Sequence, residues 1–272
     1  MFLLMLLALP LVAQNFSSNY DQTLIEINSG RYDKALRQLL PVQVMIREKT
    51  AGKFPAMDLD IVNQMDTAGA VLGKFALFQV QLQQEKYEEA NATGMLIGLG
   101  LSRLWARVPA YQKLDFAKQD LAVATPQLRD QGLKTVGYAA IDAGEWELAS
   151  KTALELLASV DKKEQQGIPA GAARHSAITI QGLAQLGMNN IAGAEKSLVA
   201  SMKVRGETAL RNAGPNFRLA IELLAKGKIQ IVDQFLVLVG SSVWRESSKA
   251  AEWRKDLAAG KEVLLPKYNG VN

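Results

Sequence analysis

Gly144-Glu145-Trp146-Glu147-Leu148-Ala149 decides the fold: it joins a residue tolerant of a positive backbone angle, a bulky residue two positions on, and a small residue three after that. The phrase recurs at Gly30-Arg31-Tyr32-Asp33-Lys34-Ala35, Glu85-Lys86-Tyr87-Glu88-Glu89-Ala90, Asn189-Asn190-Ile191-Ala192-Gly193-Ala194 and Gly227-Lys228-Ile229-Gln230-Ile231-Val232. Each copy stands between two runs of helical periodicity. Glycine or asparagine ends the first helix in the left-handed region, the large residue opens the second helix and plugs the gap, and the small residue lets the two backbones approach. The chain therefore reads as a series of helical hairpins.

The flanks of each phrase agree. Trp146, Ala149, Ala153, Leu156 and Leu157 share one face of the helix after the turn, as do Ile229, Val232, Leu236 and Val239, and such faces need a neighbour to cover them. Small residues stand seven positions ahead of three turns, at Gly137, Gly182 and Ala220, where paired helices would pack closely. Gly94, Gly98 and Gly100 lie in an apolar helical stretch with no Lys-Ser or Lys-Thr after them, so they serve close helix contact rather than a phosphate loop. Thr50 to Pro55, Val108-Pro109, Thr125-Pro126, Gly167 to Gly171 and Ala213-Gly214-Pro215 punctuate the helices. Pro41 is expected to stop or kink the helix that contains it.

Tyr87-Glu88-Glu89-Ala90 and Gly30 to Ala35 resemble the turn of the tetratricopeptide repeats. The turns here are 55, 59, 45 and 38 residues apart, not the regular interval of about 34 in that family, so the first two intervals hold additional or longer helices. The resemblance implies an all-α fold, a right-handed superhelical stack of antiparallel hairpins over residues 14–242, with a capping helix and tail over 243–272. Trp244 and Trp253 are expected to bury the end of that stack. It also implies that the first helix of each hairpin lines a concave groove, which places Tyr20, Asn28, Gln79, Gln83, Lys134, Tyr138 and Asp142 at positions that touch a partner. The two-asparagine, lysine and arginine clamp of some family members is not recognisable.

Composition narrows the chemistry. With no cysteine among 272 residues, thiol nucleophiles, disulfides and thiolate metal sites are excluded. One histidine, His175, cannot build a histidine-based zinc site and is expected to be a surface or partly packed residue. Asp58, Asp60 and Asp66 scatter around a helix, so neither a metal nor a cofactor is expected. No serine sits in a nucleophile-elbow pattern, and Glu88 and Glu89 face apart. Residues 195–272 carry 13 Lys or Arg against 8 Asp or Glu. That excess would suit peripheral association with an envelope or membrane surface, but basic residues and aromatics do not interleave as nucleic-acid binding requires.

Residues 1–13 read as a signal peptide: Phe2 to Val12 is uncharged and apolar, too short to span a bilayer, and leads to a polar segment. The expectation is an exported protein, periplasmic or secreted: a non-enzymatic scaffold or adaptor that holds a protein or peptide in a helical groove. The alternative is a polysaccharide-acting envelope enzyme with a carboxylate site on the same helical support.

Overall fold

A computed structural model describes residues 20–50, 59–204, 210–211, 214–242 and 244–266. The leader-like segment, most of the Thr50 to Pro55 loop and the last residues of the tail lie outside them. All regular structure among the described residues is helical. The helices are α1 (20–28), α2 (Tyr32–Lys49), α3 (Leu59–Gln64), α4 (Ala68–Gln83), α5 (Tyr87–Arg107), α6 (Ala110–Ala122), α7 (Arg129–Ala143), α8 (Trp146–Gln165), α9 (Gly171–Gly187), α10 (Ile191–Ser201), α11 (Arg218–Ala225), α12 (Ile229–Gly240) and α13 (Lys249–Ala258). The chain divides into two compact units, Met1–Pro109 and Ala110–Asn272.

The five phrases fold into five equal corners. Their first residues, Gly30, Glu85, Gly144, Asn189 and Gly227, all take φ between 56° and 77°. The next residue sends its N–H back to the carbonyl five positions earlier: Arg31 to Glu26, Lys86 to Gln81, Glu145 to Ala140, Asn190 to Gln185 and Lys228 to Leu223, at 2.8–3.0 Å. This is the Schellman closure, which occupies a carbonyl that the ending helix would otherwise leave bare. The bulky third residue is in every case the first of the following helix, at Tyr32, Tyr87, Trp146, Ile191 and Ile229. The sixth, Ala35, Ala90, Ala149, Ala194 or Val232, is fully buried in all five. Glutamate at the second corner shows that the closure forms even where the residue disfavours a left-handed angle.

Pro41 does not end its helix. α2 runs unbroken from Tyr32 to Lys49 with Pro41 inside it, held by Leu39, Val42 and Ile46, which are all buried. That packing outweighs the loss of one backbone hydrogen bond.

In the first unit, α2 and α4 both pack on α5, and α3 adds to the same helix. Thr23 on α1 donates to Gln38 on α2 at 2.7 Å. Two of the three glycines of α5 behave as the sequence suggests: a Cβ on Gly94 would lie 3.0 Å from Phe78, and one on Gly100 2.7 Å from Val71, whereas one on Gly98 would have room, 3.4 Å from Gln43. α3 is the additional helix of the first long interval.

The second unit begins with α6, the additional helix of the second interval, packed on α7. Three hairpins follow: α7 with α8, α9 with α10, and α11 with α12. Neighbours also meet in order, since α7 touches α9, α9 touches α11, and α10 touches α12. Gly137 and Gly182 allow this approach, facing Ile180 and Leu219 respectively. The far end is closed by aromatics: Phe217 lies 5.7 Å from Trp244 and 5.4 Å from Trp253, and the two indoles stack at 6.2 Å. The terminal helix starts at Lys249, later than the sequence suggests, because residues 245–248 form turns. Residues 261–266 are irregular, yet Leu265 is buried.

Candidate functional site

α7 starts three residues after Pro126 and stops at the left-handed Gly144. On it, Lys134, Tyr138 and Asp142 follow one another at spacings of four, so they share a face. The structure brings Tyr138 and Asp142 to residues 216–218, the entry to α11. The Tyr138 hydroxyl accepts from Asn216 Nδ2 at 2.9 Å, and Asp142 pairs with Arg218 at 2.7 Å. The Asp142 pair is largely exposed and contributes at most about 1 kcal/mol. Lys134 is half-buried and makes no hydrogen bond or ion pair among the described residues; loss of hydration lowers its proton affinity from the ordinary value.

Behind this face stands His175, which the sequence suggests is at the surface or partly packed and the structure buries to 2 % exposure. The reason is that both ring nitrogens find backbone partners, which removes the cost of sinking a polar ring. Nε2 receives the N–H of Asn216 at 2.8 Å. A nitrogen that accepts must be bare, so the proton resides on Nδ1, which donates to the Ser201 carbonyl at 2.8 Å. Burial pushes the imidazole below its usual proton affinity, and the Ser201 carbonyl opposes that only in part. The ring thus clips the carboxyl end of α10 to the segment that enters α11. Asn216 completes the cluster, its Oδ1 accepting from the Arg218 N–H at 2.8 Å.

Gly214 to Phe217 is buried throughout, although Gly-Pro reads as a surface turn. Gly214 has φ +75°, and a Cβ there would lie 2.6 Å from the Trp244 indole nitrogen, so only glycine meets both the angle and the space. The Gly214-Pro215 pair is the sequence signal that could have exposed Asn216. Nothing local marks its pairing with a tyrosine 78 positions away.

The other four anticipated residues lie in the first unit. Tyr20 stacks on Phe75 with ring centroids 5.1 Å apart, which makes it part of the packing between α1 and α4. Asn28 and Gln83 are exposed and Gln79 is half-buried. On the same helix, Gln81 has a buried Oε1 that finds no hydrogen bond.

A shallow cavity of about 410 Å³ opens between the end of α8 and the start of α9, lined by Glu164, Ile168, Pro169, Arg174 and Lys203 among others. Its arginine is already held by Asp161 and Glu164. Among the described residues, no three His, Asp or Glu side chains converge as a metal ion would require, and no helix is long and apolar enough to cross a membrane. Compared with known families, curated proteins and solved structures, the chain matches none of them.

Proposed function

We propose that this chain is an exported, non-enzymatic scaffold of the tetratricopeptide-like kind, which holds a protein or peptide partner along the first helices of its hairpins. The observation that carries the reading is the neighbour order of the second unit, α7 on α9, α9 on α11 and α10 on α12. Such an order is what stacked hairpins require, and in a right-handed stack of that kind one set of helices would line an open face suited to an extended ligand. The five equal corners support the same repeat logic. Lys134 and Tyr138 give α7, the first helix of its hairpin, a half-buried cation and an anchored hydroxyl. Export rests on the apolar run Phe2 to Val12.

A photocrosslinking amino acid placed at Gln131 or Thr135 on α7, and separately at the exposed Lys151 on α8, tests this in the native cell. The α7 positions are expected to give a discrete crosslinked species that Tyr138→Ala weakens, while position 151 gives none. Equal yield from both faces, or no species from α7, would refute the reading. Detection of the mature chain without residues 1–13 in the exported fraction tests the leader separately.

A further inference from the structure

We infer that His175 is a proton-operated latch, whose protonation releases the segment Gly214 to Arg218 from α10 and α7 while the hairpins stay folded. The geometry makes the conflict unavoidable. In the latched state the ring has one donor, Nδ1–H to the Ser201 carbonyl, and one acceptor, Nε2 facing the Asn216 N–H. An imidazolium has two donors and no acceptor, so its new N–H would point at the N–H of Asn216. The Ser201 bond can survive and the Asn216 bond cannot.

Release has a defined reach. Asn216 is held at three places: its N–H by His175, its Nδ2 by Tyr138 and its Oδ1 by the Arg218 N–H. Only the last lies within the released segment, so freeing the first also strains the Tyr138 contact and the Asp142–Arg218 pair beside it. The α7 face is thereby coupled to the protonation state of a ring on α9.

Among the described residues, no charge pairs with the ring to hold the imidazolium in place. On α9 itself, Arg174 is turned to Asp161 and Glu164 on α8. α10 presents the Ser201 carbonyl and hydroxyl, with exposed Lys203 just beyond its end. From the α11 side come Asn216 and Arg218, the latter engaged by Asp142, and from α7 comes Tyr138, with Lys134 one turn away on the same helix. The influences on the ring are burial, which favours the neutral form, and the Ser201 carbonyl, which opposes it. The sign follows: the latched state is fully favoured above about pH 6.5, the value of a free imidazole, and loses ground as pH falls below it. The unlatched fraction then rises up to tenfold per pH unit until the lowered value of the latched ring is reached.

His175 is the chain's one histidine, so the test needs no mutant to be specific. With ¹⁵N-histidine in the full-length protein, the ring should show the Nδ1–H tautomer at pH 7.5. The protection factor of the Asn216 amide should fall by up to tenfold per unit as pH drops below about 6.5, while amides in the middle of α8 and α9 keep theirs. His175→Gln, whose side-chain oxygen can still accept from Asn216, should abolish that pH dependence; should the variant not fold, the wild-type titration decides alone. An Asn216 protection factor that ignores pH would overturn the latch. So would an Nε2–H tautomer, or equal loss of protection across the second unit, which would make His175 a support of the whole unit.

Discussion

Glu85→Gly is expected to stabilise the first unit. Glu85 holds φ 56°, and a non-glycine residue in the left-handed region costs about 1–2 kcal/mol. Its side chain offsets none of this, since it is exposed and makes no hydrogen bond or ion pair among the described residues. Glycine removes the steric cost but gives the unfolded chain more freedom, which subtracts about 0.5–1 kcal/mol. The net gain is about 0.5–1 kcal/mol. Three of the other corners show that glycine fits the site, at Gly30, Gly144 and Gly227 with φ of 73–77°. Hydrogen exchange resolved to peptides of α4 and α5 is the suitable assay, because it reads the first unit without requiring the two units to unfold together. A gain of that size slows exchange about two- to fivefold in the most protected amides. The reciprocal change, Gly144→Glu, should accelerate exchange in α7 and α8 by at least as much. If Glu85→Gly speeds exchange or leaves it unchanged, the equivalence of the five corners is wrong.

Lys134→Gln should raise the melting temperature at pH 7, because it removes a half-buried charge that no described group compensates. The folded state lowers the proton affinity of this lysine. The destabilisation is therefore full at neutral pH and is relieved as pH climbs toward the ordinary value of 10.5, so the gap between variant and wild type should close in that range; a variant less stable at pH 7 would contradict this. Gly187→Ala should destabilise the second unit by about 1–3 kcal/mol in urea unfolding, since the new methyl would strike the indole of Trp146, the plug of the third corner; a neutral result would mean the plug is loosely seated. Gln81→Leu should stabilise the first unit by about 1 kcal/mol, because it removes a buried oxygen without a partner and installs the residue found at the equivalent place in the last hairpin, Leu223. A loss of stability there would show that the amide has a role the packing does not reveal.

What the sequence made legible was whatever repeats over short range. A corner needs only six consecutive residues, its closure is local, and the same constraints recur five times, so each copy corroborates the others. That α2 continues past Pro41 was not legible, because the proline's local cost is plain in the sequence, whereas the compensating burial of Leu39, Val42 and Ile46 depends on neighbours the sequence does not adjoin. The α7 face was legible by the same spacing that places residues on any helix, since Lys134, Tyr138 and Asp142 are one turn apart. What closes behind it was not. His175 looks like a surface residue after Ala173-Arg174, and its burial depends on partners 26 and 41 positions away. Neither partner is a side chain. Both are backbone groups, a carbonyl at the end of one helix and an N–H at the approach to another, and every residue except proline offers such groups. A polar residue satisfied by backbone therefore leaves no second residue type for a sequence pattern to detect, whereas an ion pair or a metal site would have left two or more. The position of His175 becomes readable only once the hairpins have fixed where α10 ends and α11 begins, which makes the buried ring a consequence of the repeat geometry rather than an independent motif.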